Sequence, residues 1–167
     1  MSESRLLIPE DSGLVPLVYG IFSRRLDEIE PLYSGDIVEK ARKRYTPDYF
    51  MECLKPDSED KILGHFTDES LDGILIGGFD VDYSSGNPID RSIIRWIMAD
   101  VSGKGIGSSL INCAIDRAKS QDYDVMALIL SAKNKGAKRL YEKMGFNIIF
   151  AYNNDTMYLM HKDIDKS

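Results

Sequence analysis

Cysteine, histidine and proline are scarce in this chain of 167 residues. The two cysteines, Cys53 and Cys113, and the two histidines, His65 and His161, lie too far apart in sequence for a CxxC pair or a Cys/His cluster. We therefore predict no metal site and expect both cysteines to pack as small apolar side chains. Six prolines beside 13 glycines exclude a collagen-like or low-complexity chain.

Long hydrophobic runs are also missing. No apolar run approaches the ~20 residues of a membrane span, and the first residues are too polar for a secretory signal. Apolar residues nevertheless make up 43% of the chain, which is enough to build a core at this size. We expect one domain over residues 1–167, located in the cytoplasm and without contact to membranes.

Basic residues are fewer than acidic ones, and the two kinds are unevenly distributed along the chain. The net charge of −6 argues against a nucleic-acid partner, which requires clustered Lys and Arg. Residues 1–83 contain nine Lys and Arg against 18 Asp and Glu, whereas residues 84–167 contain 12 against nine. An acidic half beside a mildly basic half would suit a cationic substrate that meets an anionic cofactor, although charged residues mostly lie on solvated faces.

Three helices are predicted in the first 56 residues. Asp11 and Ser12 are expected to cap the first, whose apolar residues recur at helical spacing: Leu14, Leu17, Val18, Ile21 and Phe22. A second helix is expected over Ile37–Tyr45. Thr46 is the expected cap of a third, with Pro47 at its first helical position.

The pattern then changes to strands. Lys61–Phe66 and Leu71–Val81 flank the polar turn Thr67–Ser70, which predicts an antiparallel hairpin. After a loop over Asp82–Asp90, a third strand is expected at Ser92–Ala99. Because the connections are short, these strands predict an antiparallel meander.

The rest of the chain alternates between helices and strands. The continuously apolar run Val125–Leu130 predicts a strand that is covered on both faces. Gly145 is expected to end the second of two helices. The other expected elements are helices at Gly105–Ser120 and Asn134–Met144 and strands at Phe146–Tyr152 and Thr156–Lys162. The predicted fold class is α/β (α+β), with a mixed central sheet, antiparallel N-terminal strands and a parallel central pair, flanked by helices.

A glycine-rich turn joins the strand at Ser92–Ala99 to the following helix. Gly103, Gly105 and Gly107 alternate with Lys104 and Ile106. Glycines let the backbone turn sharply and approach a ligand, and a helix start presents unpaired N–H groups to anions. The turn therefore predicts a phosphate site with Lys104 at its rim. The alternative is a flexible connection.

Two common phosphate-binding motifs fit this turn poorly. A P-loop requires Ser or Thr after its lysine, whereas Gly105 follows Lys104. A dinucleotide fingerprint beginning at Gly103 would need a third glycine where Ser108 stands. The preceding antiparallel strands also differ from a Rossmann half.

At these residues the chain resembles the GNAT superfamily of acyl-CoA-dependent N-acyltransferases. The family motif, Gln/Arg-x-x-Gly-x-Gly/Ala, falls on residues 102–107, with Ser102 in place of Gln or Arg. A second motif is similar in Asn134, in Tyr141 seven residues later, and in the Gly-Phe pair at 145–146. The likeness extends from about Asp60 to Lys162.

The resemblance implies acetyl-CoA as cosubstrate and assigns most of its contacts to the backbone. The amides of six residues would hold the diphosphate: Gly103, Lys104, Gly105, Ile106, Gly107 and Ser108. The backbone of Arg95, Trp96 and Ile97 would pair with the pantetheine arm like a further strand. This strand would diverge from Val125–Leu130, and an N–H near Ile97 or Met98 would stabilise the oxyanion.

Two side chains receive roles from the resemblance, and each has a structural alternative. Asn134 corresponds to a residue that contacts the cofactor arm, but it could equally cap its helix. Tyr141 corresponds to the tyrosine that donates a proton to the departing thiolate, but it could be a core residue. No general base is assigned, because Ile129 occupies the position where some relatives have Glu. Three acids could act through water: Asp80, Asp82 and Glu69.

The expected function is therefore acetyl transfer from acetyl-CoA to a primary amine, with the protein a monomer or homodimer. A small or cationic amine such as a polyamine is expected from the acidic first half. Protein N-termini or lysines are alternative acceptors. A further alternative is a non-catalytic acyl-CoA-binding or sensor module.

Overall fold

A computed structural model describes residues 1–166. Within them, seven strands form one sheet: β1 (Ser2–Leu6), β2 (Lys61–Thr67), β3 (Ser70–Asp82), β4 (Ile89–Ala99), β5 (Val125–Ser131), β6 (Asn147–Tyr152) and β7 (Met157–Asp163). Five α-helices accompany them: α1 (Val15–Ile29), α2 (Gly35–Arg44), α3 (Pro47–Cys53), α4 (Ile106–Ser120) and α5 (Lys135–Lys143). Short 3₁₀ helices lie at Pro9–Leu14 and Glu30–Leu32.

The sheet has the predicted mixed topology. Its strand order is β1-β2-β3-β4-β5-β7-β6. The pair β4–β5 is parallel, and every other neighbouring pair is antiparallel. The predicted fold class, the meander β2–β3–β4 and the parallel central pair are thus confirmed.

Apolar side chains pack on both faces of the sheet. One core joins the sheet to α1, α2 and α3 and includes Phe22, Phe50 and Ile74, which are all fully buried. The other joins the opposite face to α4 and α5 and includes Leu110 and Met126. Cys53 is buried in the first core, and both cysteines are free thiols, as predicted.

The first 56 residues are not wholly helical as expected, because β1 precedes the helices. Ser2 to Leu6 pair antiparallel with β2, from Ser2–Thr67 to Leu6–Leu63. The strand lies at the edge of the sheet and is mostly polar. It is therefore held by backbone hydrogen bonds rather than by an alternating apolar pattern, which is the signal a sequence displays.

The predicted cap of the first helix is wrong. α1 begins at Val15, and no side chain caps it. Asp11 instead lies in the preceding 3₁₀ helix, where its carboxylate accepts hydrogen bonds from Arg5 at 2.7 and 2.8 Å and from the Ile8 amide at 2.9 Å. The Arg5 guanidinium lowers the pKa of Asp11. Leu17, expected on the apolar stripe, is exposed.

Other local predictions hold with small shifts. Thr46 caps α3 by accepting from the Tyr49 amide at 3.3 Å. Gly145 has φ +91° at the end of α5. The hairpin turn is tighter than expected, because β2 and β3 extend to Thr67 and Ser70 and leave two residues between them. β4 begins three residues earlier than predicted and takes the end of the expected loop into the sheet.

Candidate active site

The sheet opens between its two parallel strands. β4 and β5 pair from Arg91–Val125 to Ile94–Leu128 and then separate. Beyond that point β4 stays paired with β3 as far as Ala99, while β5 stays paired with β7. The inner edges of both strands therefore face a gap, and their N–H and C=O groups there are free to bind an extended ligand.

A cavity of about 1000 Å³ occupies this gap. It is lined by the ends of β4 and β5, the glycine turn and α5. Ten of the eleven predicted cofactor-binding residues lie on its wall: Arg95, Trp96, Ile97, Gly103, Gly105, Ile106, Gly107, Ser108, Asn134 and Tyr141. The eleventh, Lys104, is exposed and does not line the cavity, so the structure does not place it with the other ten.

The glycine turn presents an open helix start to the cavity. Gly103 and Gly105 have φ +79° and +75°, a conformation that favours glycine. A Cβ atom at either position would meet nothing within 4 Å, so the space in front of the backbone is empty. Gly105 precedes α4 without a side-chain cap. The N–H groups of the first turn are thus available to the oxygens of a diphosphate.

Gly107 has a different reason to be glycine. Its φ is ordinary, but a Cβ atom there would lie 2.9 Å from Leu140 Cδ2 on α5. The missing side chain lets the start of α4 lie close to Leu140 of α5. This packing brings the helix start next to the residues of α5 that line the same cavity.

Asn134 performs the structural role that was one of its two predicted alternatives. Its side-chain oxygen accepts a hydrogen bond from the Ala137 amide at 3.3 Å and caps α5. The residue also lines the cavity. The role in contacting the cofactor arm stays a prediction.

Tyr141 is both packed and reachable. Its side chain is buried, and its ring lies 5.5 Å from that of Phe146 in a T-shaped contact. Its hydroxyl has no hydrogen-bond partner in residues 1–166, where every fully buried side-chain polar atom has one. The oxygen is therefore not fully enclosed, and the residue lies on the cavity wall. Burial raises the pKa of Tyr141, so the phenol keeps its proton near neutral pH.

An aromatic wall faces the other side of the gap. Trp96 of β4 lies 5.9 Å from the Tyr33 ring and 6.3 Å from the Tyr45 ring, and all three residues line the cavity. Ser131 at the end of β5 donates a hydrogen bond to the Leu32 carbonyl, which ties this wall to the sheet. Neither tyrosine was predicted from sequence, because both lie in the helical region that has no motif.

Ile129 corrects one expectation about β5. This strand was expected to be covered on both faces, but Ile129 is 56% exposed and lines the cavity. Leu159 of β7 pairs with it and lines the same space. The position that carries Glu in some relatives of the family thus offers an apolar surface to a ligand.

The acids named as relays differ in their positions. Asp80 lines the cavity, where it accepts two hydrogen bonds from Arg91 at 2.7 and 2.8 Å. Asp82 lies 3.5 Å from the same guanidinium and accepts from the Ser84 amide. Glu69 lies in the β2–β3 turn. Of the three, Asp80 is the one on the cavity wall.

The acidic half of the chain does not converge on the cavity. Many of its carboxylates form ion pairs with basic residues of the same half, as in the pairs Asp27–Arg42 and Asp36–Lys40. The lining residues include Asp80 together with four basic residues: Arg25, Arg91, Arg95 and Lys143. Each of these arginines is itself paired with a carboxylate, so the lining has no strong net charge.

Membrane-spanning helices and metal clusters are both absent from residues 1–166. None of the helices there combines the length and the apolar character that a membrane crossing requires. No group of three or more His, Cys, Asp or Glu side chains that could hold a metal ion occurs among these residues.

A splayed sheet beside a glycine-lined helix start defines a class of protein that binds an extended, phosphate-bearing ligand. Residues 38–146 match the model of the Acetyltransferase (GNAT) family. This match covers more than half of the chain, so the chain belongs to the GNAT family, and the prediction from its two motifs is confirmed. The predicted acyltransferase class and acetyl-CoA as the predicted acyl donor agree with this family.

A curated relative supports this assignment over part of the chain. An uncharacterized N-acetyltransferase of Methanocaldococcus jannaschii is 29% identical over 110 residues. The alignment covers 63% of this chain and 46% of that protein, so the chain matches just under half of the length of this relative.

Solved structures share the fold at low sequence identity. PaiA N-acetyltransferase from Thermoplasma acidophilum, in complex with coenzyme A, has a TM-score of 0.74 at 18% identity and covers 98% of this chain and 99% of that one. A putative GNAT acetyltransferase from Desulfovibrio desulfuricans has a TM-score of 0.67 at 15% identity over 99% and 100%. At these identities the likeness establishes the fold alone.

Proposed function

We propose that this chain transfers the acetyl group of acetyl-CoA to a small primary amine. The observation that carries the proposal is the gap between β4 and β5, which joins the open start of α4 to the Tyr141 hydroxyl through one continuous cavity. The same cavity continues to the aromatic wall of Tyr33, Tyr45 and Trp96. A cosubstrate and an acceptor could thus meet within this one cavity.

The chain's own groups suit this chemistry. When bound, acetyl-CoA supplies a thioester that a neutral amine can attack. The amides at the start of α4 would hold the diphosphate, and the free edge of β4 would align the arm. A backbone N–H near Ile97 would stabilise the oxyanion, and Tyr141, which keeps its proton, would donate to the departing sulfur.

A cationic amine such as a polyamine is the acceptor that we propose within this class. The support comes from the aromatic wall rather than from net charge, because the faces of Tyr and Trp rings attract ammonium groups.

A panel of amines with acetyl-CoA, followed by mass shift, tests the proposal. Spermidine, butylamine and a peptide with a free N-terminus distinguish a polycationic acceptor, a monoamine and a protein substrate. We expect the largest kcat/KM with spermidine. Equal values for spermidine and butylamine would remove the cationic preference and leave the acetyltransferase, whereas transfer to the peptide alone would replace the small acceptor by a protein.

A substitution in the aromatic wall sharpens this test. Tyr33→Leu removes one ring while keeping an apolar side chain, and we expect it to raise the KM for spermidine about threefold. The KM for butylamine, which has no second ammonium group, serves as the internal control. An equal change in both values would contradict a role of this ring in recognising charge.

A non-catalytic acyl-CoA-binding module is the rival proposal. It predicts that CoA raises the melting temperature while no amine accelerates thiol release from acetyl-CoA. The accessible Tyr141 hydroxyl supports the enzyme instead. We further propose that all 167 residues form one GNAT domain, which is supported by solved structures that cover 98% or more of the chain. The cytoplasmic location, and the choice between monomer and homodimer, stay predictions.

A further inference from the structure

At Arg95, the pairing of β4 with each of its two neighbouring strands is interrupted. On the β3 side, Ile76 pairs with Trp96 and Gly77 pairs with Ile94, which leaves Arg95 as a bulge without a partner. On the β5 side, the parallel ladder ends at Ile94. The sheet therefore does not fix the direction of the backbone at Arg95.

A buried carboxylate holds Arg95 instead. Arg95 Nε donates to Asp60 Oδ1 at 2.8 Å, and the Asp60 side chain is only 8% exposed. Asp60 Oδ2 accepts hydrogen bonds from the Tyr49 hydroxyl and from Arg44 at 3.2 Å. The Ser58 hydroxyl donates to the Asp60 carbonyl at 2.9 Å. Both carboxylate oxygens are thus used, and α2 and α3 hold the carboxylate in place.

β3 leaves room for this ion pair. A Cβ atom at Gly78 would lie 2.3 Å from Asp60 Oδ1 and 2.8 Å from an Arg95 guanidinium nitrogen. Gly78 pairs with Ile93 in the register. The absence of a side chain at this point of the sheet allows the carboxylate and the guanidinium to meet over it.

We propose that Asp60 is a positioning residue for acetyl transfer. By holding the Arg95 side chain, it fixes the direction of the backbone N–H groups that follow the bulge, at Trp96 and Ile97. This inference rests on the proposed function, in which those groups face the thioester. Asp60 acts through Arg95 and touches no substrate.

Asp60 can affect the reaction because the effect of a backbone N–H donor depends on the direction in which it points. A preorganised N–H stabilises a developing oxyanion only when it points at the place where the charge forms. Loss of the Asp60 charge would leave Arg95 and Arg44 without their counterion, and the unpaired bulge could then turn. The diphosphate site is on a separate segment, the turn before α4, and would be unaffected, whereas the pairing of the cofactor arm with β4 would weaken.

Asp60→Asn tests the proposal by comparison with Asp11→Asn. The control removes the charge from another part-buried Asp–Arg pair, Arg5–Asp11, outside the cavity lining. We expect Asp60→Asn to lower kcat on the order of tenfold or more, with a smaller rise in the calorimetric Kd for CoA, because the diphosphate contacts stay while the arm loses part of its pairing with β4. Asp11→Asn should leave both values unchanged.

A second readout does not depend on turnover. Trp96 is the single tryptophan of the chain and directly follows the bulge. Its fluorescence should change in Asp60→Asn and not in Asp11→Asn. Wild-type kcat in Asp60→Asn, or a Trp96 emission identical to that of the wild type, would overturn the proposal.

Tyr49→Phe decides the question where Asp60→Asn fails to fold. This variant removes one hydrogen bond to the carboxylate and keeps the ion pair. A lower kcat with altered Trp96 emission supports the proposal, and wild-type values of both overturn it. If the wild type itself transfers no acetyl group to any amine, the proposed function fails, and the Trp96 emission still tests whether Asp60 anchors the bulge.

Discussion

At the residue scale, Tyr141 combines a buried, packed ring with a hydroxyl that has no hydrogen-bond partner in residues 1–166. The ring packs against Phe146, and the residue lines the cavity. Stability and chemistry can therefore be separated by one substitution. Removing the oxygen costs no hydrogen bond within that part of the chain, whereas it removes the donor proposed for the departing thiolate.

Tyr141→Phe is accordingly expected to lower kcat on the order of a hundredfold. The melting temperature and the Kd for CoA should change little, because the ring contacts stay in place. The measurements are steady-state kinetics with saturating spermidine, thermal unfolding and calorimetry. Tyr123→Phe is a matched control, since Tyr123 lies outside this cavity. An unchanged kcat would remove Tyr141 from the mechanism.

Residues that contribute through spacing could be predicted, and residues that contribute through packing could not. Asn134 and Tyr141 stand seven positions apart in a motif, and both lie on the cavity wall. Tyr33 and Tyr45 line the same cavity from segments without a motif. Asp60 is 35 positions from Arg95, and nothing in the local pattern of either residue indicates that they meet.

At the element scale, the junction of β4 and α4 depends on glycine conformation. Gly105 occupies the left-handed region at φ +75° with open space around it, so an added side chain would cost backbone strain rather than a clash. Gly20 lies in the middle of α1 on an exposed face, where an added Cβ atom would meet nothing within 4 Å and φ is not positive. Replacement of glycine by alanine should therefore destabilise the protein at Gly105 and stabilise it at Gly20.

Gly105→Ala is expected to destabilise the turn by about 1 kcal/mol and to weaken CoA binding, because the cradle amides must shift. Gly20→Ala is expected to stabilise the protein by about 1 kcal/mol, since alanine favours a helix interior. Chemical denaturation and calorimetry with CoA measure both effects. A normal Kd for CoA in Gly105→Ala would contradict the role of this turn in holding the diphosphate.

The elements were largely predictable where periodicity or turn chemistry was strong. The third helix, with its Thr46 cap, and the β2–β3 hairpin match the sequence closely. β1 was missed because an edge strand can be held by its backbone alone. The gap between β4 and β5 was expected from the family resemblance, but the bulge at Arg95 that accompanies it leaves no mark on the apolar pattern.

At the scale of the whole molecule, charge is arranged in local pairs rather than in a field aimed at the cavity. Arg24 of α1 pairs with Asp100 after β4, and Arg42 of α2 pairs with Asp27 and Glu30. Exposed pairs of this kind each contribute little to stability. The pH dependence of stability should therefore come from the few groups whose pKa values the fold changes.

His161 is the group of this kind that titrates nearest to neutral pH. Burial and the Arg91 guanidinium, 3.5 Å from its Nε2, lower its pKa below the ordinary 6.5, although Asp82, Asp163 and Asp80 oppose this shift. A histidine with a lowered folded pKa favours the folded state above its unfolded pKa. That stability is lost as the pH falls through the folded value.

The melting temperature should accordingly fall between about pH 7.5 and about pH 5.5, and less so in His161→Gln. Glutamine can still accept a hydrogen bond from Arg91 but binds no proton. Carboxylates such as Asp11 and Asp82, whose pKa values lie below 3.8, stay ionised over this range. Equal losses in the two proteins would show that the protonation of His161 is not linked to unfolding.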